Sequence, residues 1–138
     1  AMLAAFALGA EAVQVGSRFA ASTEASCHDN FKHAIVYAKE GDTMLSLKKL
    51  TPVRLIKNKF FLQVAEAEAR GADEEELKLL LGRARAKKGM FEGNLEEGEL
   101  EIGQVSAQIN EVLPAVVILK NIWEEFVTAQ KKLSEIDL

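Results

Sequence analysis

Apolar and polar residues alternate along this chain with two different periods, and the places where the period changes outline its elements. Leu3 to Leu8 forms a run of small and apolar residues with helical character, and Gly9 stands where a left-handed residue ends a helix. No Ser, Thr, Asp or Asn precedes this first helix and the chain does not open on Met, as expected of a truncated start. Ala12-Val13-Gln14-Val15, bounded by Glu11 and by Gly16-Ser17, has the length and flanks of a buried strand of an α/β protein. A helical turn is expected from Arg18 to Ala21. Asp29 is positioned to cap a helix over Asn30 to Lys39 that ends at Gly41.

Thr43 to Leu47 is compatible with either strand or loop. Thr51-Pro52 has the form of a cap followed by proline at the first helical position, predicting a helix from there to Arg70. Asp73 is placed to cap a second helix, with Glu74, Glu75 and Glu76 at its positive pole and Arg83, Arg85, Lys87 and Lys88 toward Gly89 at its negative pole. The segment from about residue 51 to 89 therefore reads as a helical insertion. Phe91 to Gly98 is turn-rich and acidic, and Ile102 to Ser106 leads into a short apolar turn ending near Ile109. From Pro114 to about Ser134, Val117, Ile118, Ile122, Phe126 and Leu133 keep a period near 3.6 residues, with Trp123 beside them and Lys120, Glu124, Glu125, Lys131 and Lys132 left to water.

Composition narrows the function classes. The 138 residues are 49 % hydrophobic and 28 % charged, enough for one segment with a packed core, and the net charge of −4 argues against a nucleic-acid or anionic-membrane surface. The apolar start is far shorter than the roughly 20 residues a membrane span needs. A lone cysteine, Cys27, excludes an internal disulfide and leaves a cytoplasmic setting as the default. His28 and His33 are five positions apart, which is not one helical face, so a metal site is not expected; Cys27 next to His28 in sequence does not amount to a nucleophile and base. No catalytic residue is assigned in this chain.

The chemistry concentrates in Leu8 to Phe19, LGAEAVQVGSRF, which reads as helix, glycine turn, strand and then a Gly-Ser pair at the strand's C-terminal end. In a (β/α)8 barrel the loops after the last strands commonly hold phosphate, because backbone N–H groups converge there and a short helix opens toward the anion. Gly16 permits close backbone approach, Ser17 offers a hydroxyl, and Arg18 can add charge.

This stretch resembles the last-strand segment of the nitronate monooxygenases and the flavin-dependent enoyl-acyl-carrier-protein reductase II enzymes. The resemblance continues, in order, through EASCHDNFK (24–32), PVRLIKNKF (52–60) and ELEIGQVS (99–106). It implies a fold: the C-terminal part of a (β/α)8 TIM barrel, mostly helical here, with Ala12–Val15 as the one clear barrel strand. It also implies that Gly16 and Ser17 bind the phosphate of FMN, with Gln104 and Ser106 as a second cofactor-binding pair near the flavin. The implied substrates are an alkyl nitronate, or an enoyl thioester on acyl carrier protein with NADH or NADPH as co-substrate.

Two departures from the family pattern matter. The family has a glycine near Gln108, in a Gly-Gln-x-x-Gly pattern. Its substrate-side histidine and first phosphate glycines lie in the part of a barrel of roughly 250 residues that precedes the last strand. The chain alone is therefore expected to be inactive and open to self-association. A stand-alone helical binding domain without cofactor is the alternative.

Overall fold

A computed structural model describes residues 1–136. In chain order it contains α1 (Met2–Ala7), α2 (Ser17–Ala20), α3 (Asp29–Tyr37), β1 (Thr43–Ser46), β2 (Val53–Ile56), α4 (Lys59–Ala69), α5 (Glu74–Leu81), a π turn (Lys87–Phe91), a 3-10 turn (Gln104–Gln108) and α6 (Ala115–Ser134).

Several elements follow from local chemistry. α1 starts at Ala1 without a side-chain cap, and Gly9 follows it at φ +93°. Asp73 accepts from the Glu76 N–H at 2.9 Å and opens α5, as its sequence predicts. α3 is capped one residue earlier than expected: His28 Nδ1 accepts from the Asn30 N–H at 3.0 Å, leaving Asp29 as an acidic first-turn residue. The long terminal helix is present as α6, and its first N–H is met by a side chain distant in sequence. Glu24 Oε2 accepts from the Ala115 N–H at 2.8 Å, and this bond is the main cause that holds the Glu24 carboxyl below its usual range.

The helix expected from Thr51 is not formed. Val53–Ile56 is instead β2, antiparallel to β1 with Thr43 opposite Ile56 and Ser46 opposite Val53. Pro52 stands just before the strand, where its missing N–H costs no ladder bond. The second edge of β2 is taken by residues 100–102, since Ile56 N–H donates to Leu100 O and Ile102 N–H donates to Arg54 O, each at 3.0 Å. The helix begins only at Lys59, where Asn58 Oδ1 accepts from the Phe61 N–H at 2.9 Å. α5 in turn stops at Gly82 rather than Gly89, and the basic residues beyond it serve other ends. Arg85 donates to the carbonyls of Leu80, Leu81 and Glu97 and lies over the Phe60 ring at 4.9 Å, tying the 80s to the acidic turn.

Two apolar clusters organise the interior. Leu47 and Leu55 of the hairpin region meet Phe60, Phe61, Val64 and Ala67 of α4, with Ala72 and Leu77 from the α5 side. Phe31 and Ile35 of α3 meet Ala21, Leu100, Ile102 and Ile109 in the other. Residues 100–102 put Leu100 and Ile102 into the second cluster and pair with β2, whose Leu55 belongs to the first.

Ala12–Val15 departs furthest from expectation. These residues are exposed, pair with no strand and make no backbone hydrogen bond among the described residues. A parallel barrel strand requires neighbours on both edges to satisfy its N–H and C=O groups, and no other strand of the described chain lies alongside. α6 is similarly open. Ile118 is its buried residue, whereas Leu119, Trp123 and Val127 are exposed, and Trp123 stacks on Phe126 at 5.4 Å at the surface rather than filling a core.

Glu99 is buried without an ion-pair partner among the described residues. Burial, and then the Glu101 carboxylate, push its carboxyl from the ordinary 4.5 up to about 7, against the pull of Arg85. The folded state thus holds this proton more tightly than the unfolded chain, so the contribution of Glu99 is most favourable below pH 4.5 and is lost as pH rises through about 7. Relative to Glu99→Gln, the wild-type chain is expected to lose on the order of 2 kcal/mol of stability over that interval, read by urea denaturation across pH. A constant difference between the two proteins across pH would contradict this environment for Glu99.

Candidate flavin-phosphate site

The segments carrying the four candidate residues lie almost ninety positions apart in sequence, and one hydrogen bond joins them. Ser17 Oγ, at the start of α2, accepts from the Gly103 N–H at 3.2 Å, directly before the Gln104–Gln108 turn. Because the hydroxyl is used there as an acceptor, its own proton stays available to donate to an anion. Gly103 is needed for this approach, since a Cβ on it would come within 2.8 Å of Ser17 Oγ.

Gly16 is exposed, with no atom within 4 Å of where a Cβ would stand. Its carbonyl accepts from the Phe19 and Ala20 N–H groups, so the leading N–H groups of the turn have no intrahelical partner. Gln104 is exposed beside them. Ser106 is placed differently: it is fully buried, and its Oγ has no hydrogen-bond partner among the described residues. The structure therefore brings Gly16, Ser17 and Gln104 to one accessible locus and sets Ser106 behind it. The donors gathered there, a hydroxyl and backbone N–H groups beside open space, suit the phosphate end of a flavin nucleotide.

Other candidate chemistry has structural employment. Arg18 Nη1 donates to Glu111 O at 3.0 Å, which makes it a tie to the loop before α6. Cys27 Sγ donates to Ala20 O at 3.1 Å, and burial raises its thiol pKa, the opposite of what a nucleophile requires. The His28 ring faces Gly93, where any Cβ would collide with it. Among the described residues no three of His, Cys, Asp and Glu gather as a metal site, and no helix is long and apolar enough to cross a membrane.

Sequence reasoning missed Gly103. Gly103 was legible as the opening residue of the Gly-Gln pattern. Counted from it, the pattern's closing glycine falls on Ala107, one position before Gln108.

A family model described as nitronate monooxygenase matches residues 1–125. A Staphylococcus saprophyticus protein named "Probable nitronate monooxygenase" is 31 % identical over 123 residues, covering 88 % of this chain and 34 % of its own length. Among solved structures, FabK from Thermotoga maritima superposes with a TM-score of 0.84 at 37 % identity, covering 96 % of this chain and 42 % of that one. Its M276A mutant gives 0.79 at 34 % identity, covering 96 % and 40 %. The fold is thus part of a (β/α)8-barrel oxidoreductase, as the sequence resemblance implies. The chain belongs to the nitronate monooxygenase family, whose members are flavin-dependent oxidoreductases, and it spans well under half the length of the relatives it matches.

Proposed function

We propose that this chain supplies the phosphate-binding side of an FMN site in a flavin-dependent oxidoreductase. The observation that carries the proposal is the Ser17 Oγ to Gly103 N–H bond, which joins the two family-like segments at one accessible point. Gly16 and the Ser17 hydroxyl receive the phosphate, and Gln104 lies at the rim. The buried Ser106 supports the turn from behind. Bound flavin would supply the redox chemistry, taking electrons from an alkyl nitronate and giving them to dioxygen in one branch of the family, or passing a hydride from NADH or NADPH to the double bond of an enoyl thioester on acyl carrier protein in the other. The residues of this chain hold and orient; none acts as acid, base or nucleophile.

The exposed, unpaired Ala12–Val15 favours this reading over a stand-alone helical module, which would have to cover those backbone groups itself. The α4–α5 pair is an appendage to the barrel proper, and the uncovered Ala12–Val15 segment and the open face of α6 leave the isolated chain open to self-association. The 138-residue chain alone is expected to purify colourless and to show no nitronate oxidation when FMN is added. A yellow preparation with stoichiometric flavin and turnover would overturn that expectation.

A further inference from the structure

A second cleft, of about 680 Å³, opens between the β1–β2 hairpin and the 3-10 turn, and Thr43, Arg54, Gln104 and Gln108 line it together with Glu40. It adjoins the cleft of about 660 Å³ between α1, residues 13–15 and α6, with which it shares Val105 and Gln108. Arg54 is its distinctive member. The Arg54 backbone sits in the middle strand of the small sheet, with β1 on one side and Ile102 N–H bonded to its carbonyl on the other. Its Nη1 donates to Thr43 O and Thr43 Oγ1, both at 3.3 Å, which fixes the plane of the guanidinium. Nε and Nη2 make no hydrogen bond, and no carboxylate lies within ion-pair distance of Arg54 among the described residues, although the residue is half-buried in an acidic protein.

A held, unpaired guanidinium presents a planar fork that matches the two oxygens of a carboxylate or phosphate. We infer that Arg54 anchors an oxyanion, the carboxylate or phosphate group of a small-molecule co-substrate, with the side-chain amides of Gln104 and Gln108 at the mouth of the same cleft. Glu40 on the rim disfavours a multiply charged ligand in the cleft and favours a single oxyanion at the fork. Gln104 borders both this cleft and the flavin-phosphate locus, so the anchored ligand would lie beside the cofactor. The oxyanion site itself does not depend on flavin binding.

Titration of the chain with inorganic phosphate and, separately, with acetate, followed by the Arg54 Nε–H resonance and the Gln104 and Gln108 side-chain amides, tests this. Saturable shifts are expected with at least one anion, and the stronger response tells phosphate from carboxylate. Arg54→Lys keeps the charge but loses the fork, and is expected to weaken binding about tenfold. Ser17→Ala is expected to leave the Arg54 response intact, which separates failure of this site from failure of the flavin-phosphate reading. Non-saturating shifts at every basic residue, no response at Arg54 Nε–H in the folded wild-type chain, or loss of the response in Ser17→Ala would overturn the inference.

Discussion

Gly98→Ala is expected to cost more than about 3 kcal/mol, a large fraction of the net stability of an ordinary domain. The methyl group would be placed inside contact distance of the Gly89 backbone and of Asn94 O, so its neighbours on this side are main chain, which cannot swing aside. Gly89 is equally constrained, because a Cβ there would press on Glu99 O. These two glycines let the π turn lie against residues 99–100, and separating them displaces Leu100 and Ile102 of the second apolar cluster together. Thermal or urea denaturation read by far-ultraviolet circular dichroism measures the loss. Gly16→Ala is the matched control, since its Cβ would meet open space.

Asn58→Ala is expected to cost about 3 kcal/mol, the sum of a helix cap and two side-chain bonds to main-chain carbonyls. Asn58 Oδ1 caps α4, while Nδ2 donates to Leu95 O and Gly98 O, both at 2.8 Å. One amide therefore starts the helix and holds the acidic turn on it. Asn58→Asp separates the roles: it keeps a capping oxygen but sets a carboxylate against two carbonyls. It is expected to be at least as destabilising as Asn58→Ala near neutral pH and to recover as the carboxyl is protonated. An Asp variant as stable as wild type at neutral pH would show that the two carbonyl bonds contribute nothing.

Much of the helical structure was legible because its determinants are local. Asp73 and its three glutamates announce α5, and the period of Val117, Ile118, Ile122 and Phe126 announces α6. The hairpin was not legible from the same kind of signal. Thr51-Pro52 has the form of a helix start, yet Val53–Ile56 is held extended by β1 and by residues 100–102, and such pairing between distant segments overrides local propensity. Ala12–Val15 has the apolar pattern of a barrel strand, and it stands unpaired because no neighbouring strand is present among the described residues.

The candidate site divides in the same way. Gly16-Ser17 stands out in sequence as a turn after an apolar run, and the family resemblance adds Gln104 and Ser106. That Ser17 meets Gly103, that Ser106 is buried and that Arg54 is left unpaired are products of packing. Within the segment from residue 83 to 88, the basic run has the form of a helix end, whereas Arg85 is consumed by three carbonyls and the Phe60 ring.

The phosphate-binding claim is tested most directly by mapping backbone amide shifts of the chain with millimolar FMN and with riboflavin, which shares the ring system but lacks the phosphate. FMN is expected to shift the amides of Gly16, Ser17, Arg18 and Gly103, riboflavin to leave them unmoved, and Ser17→Ala to diminish the FMN response. Equal shifts with both flavins, or FMN shifts confined to other parts of the chain, would contradict the assignment.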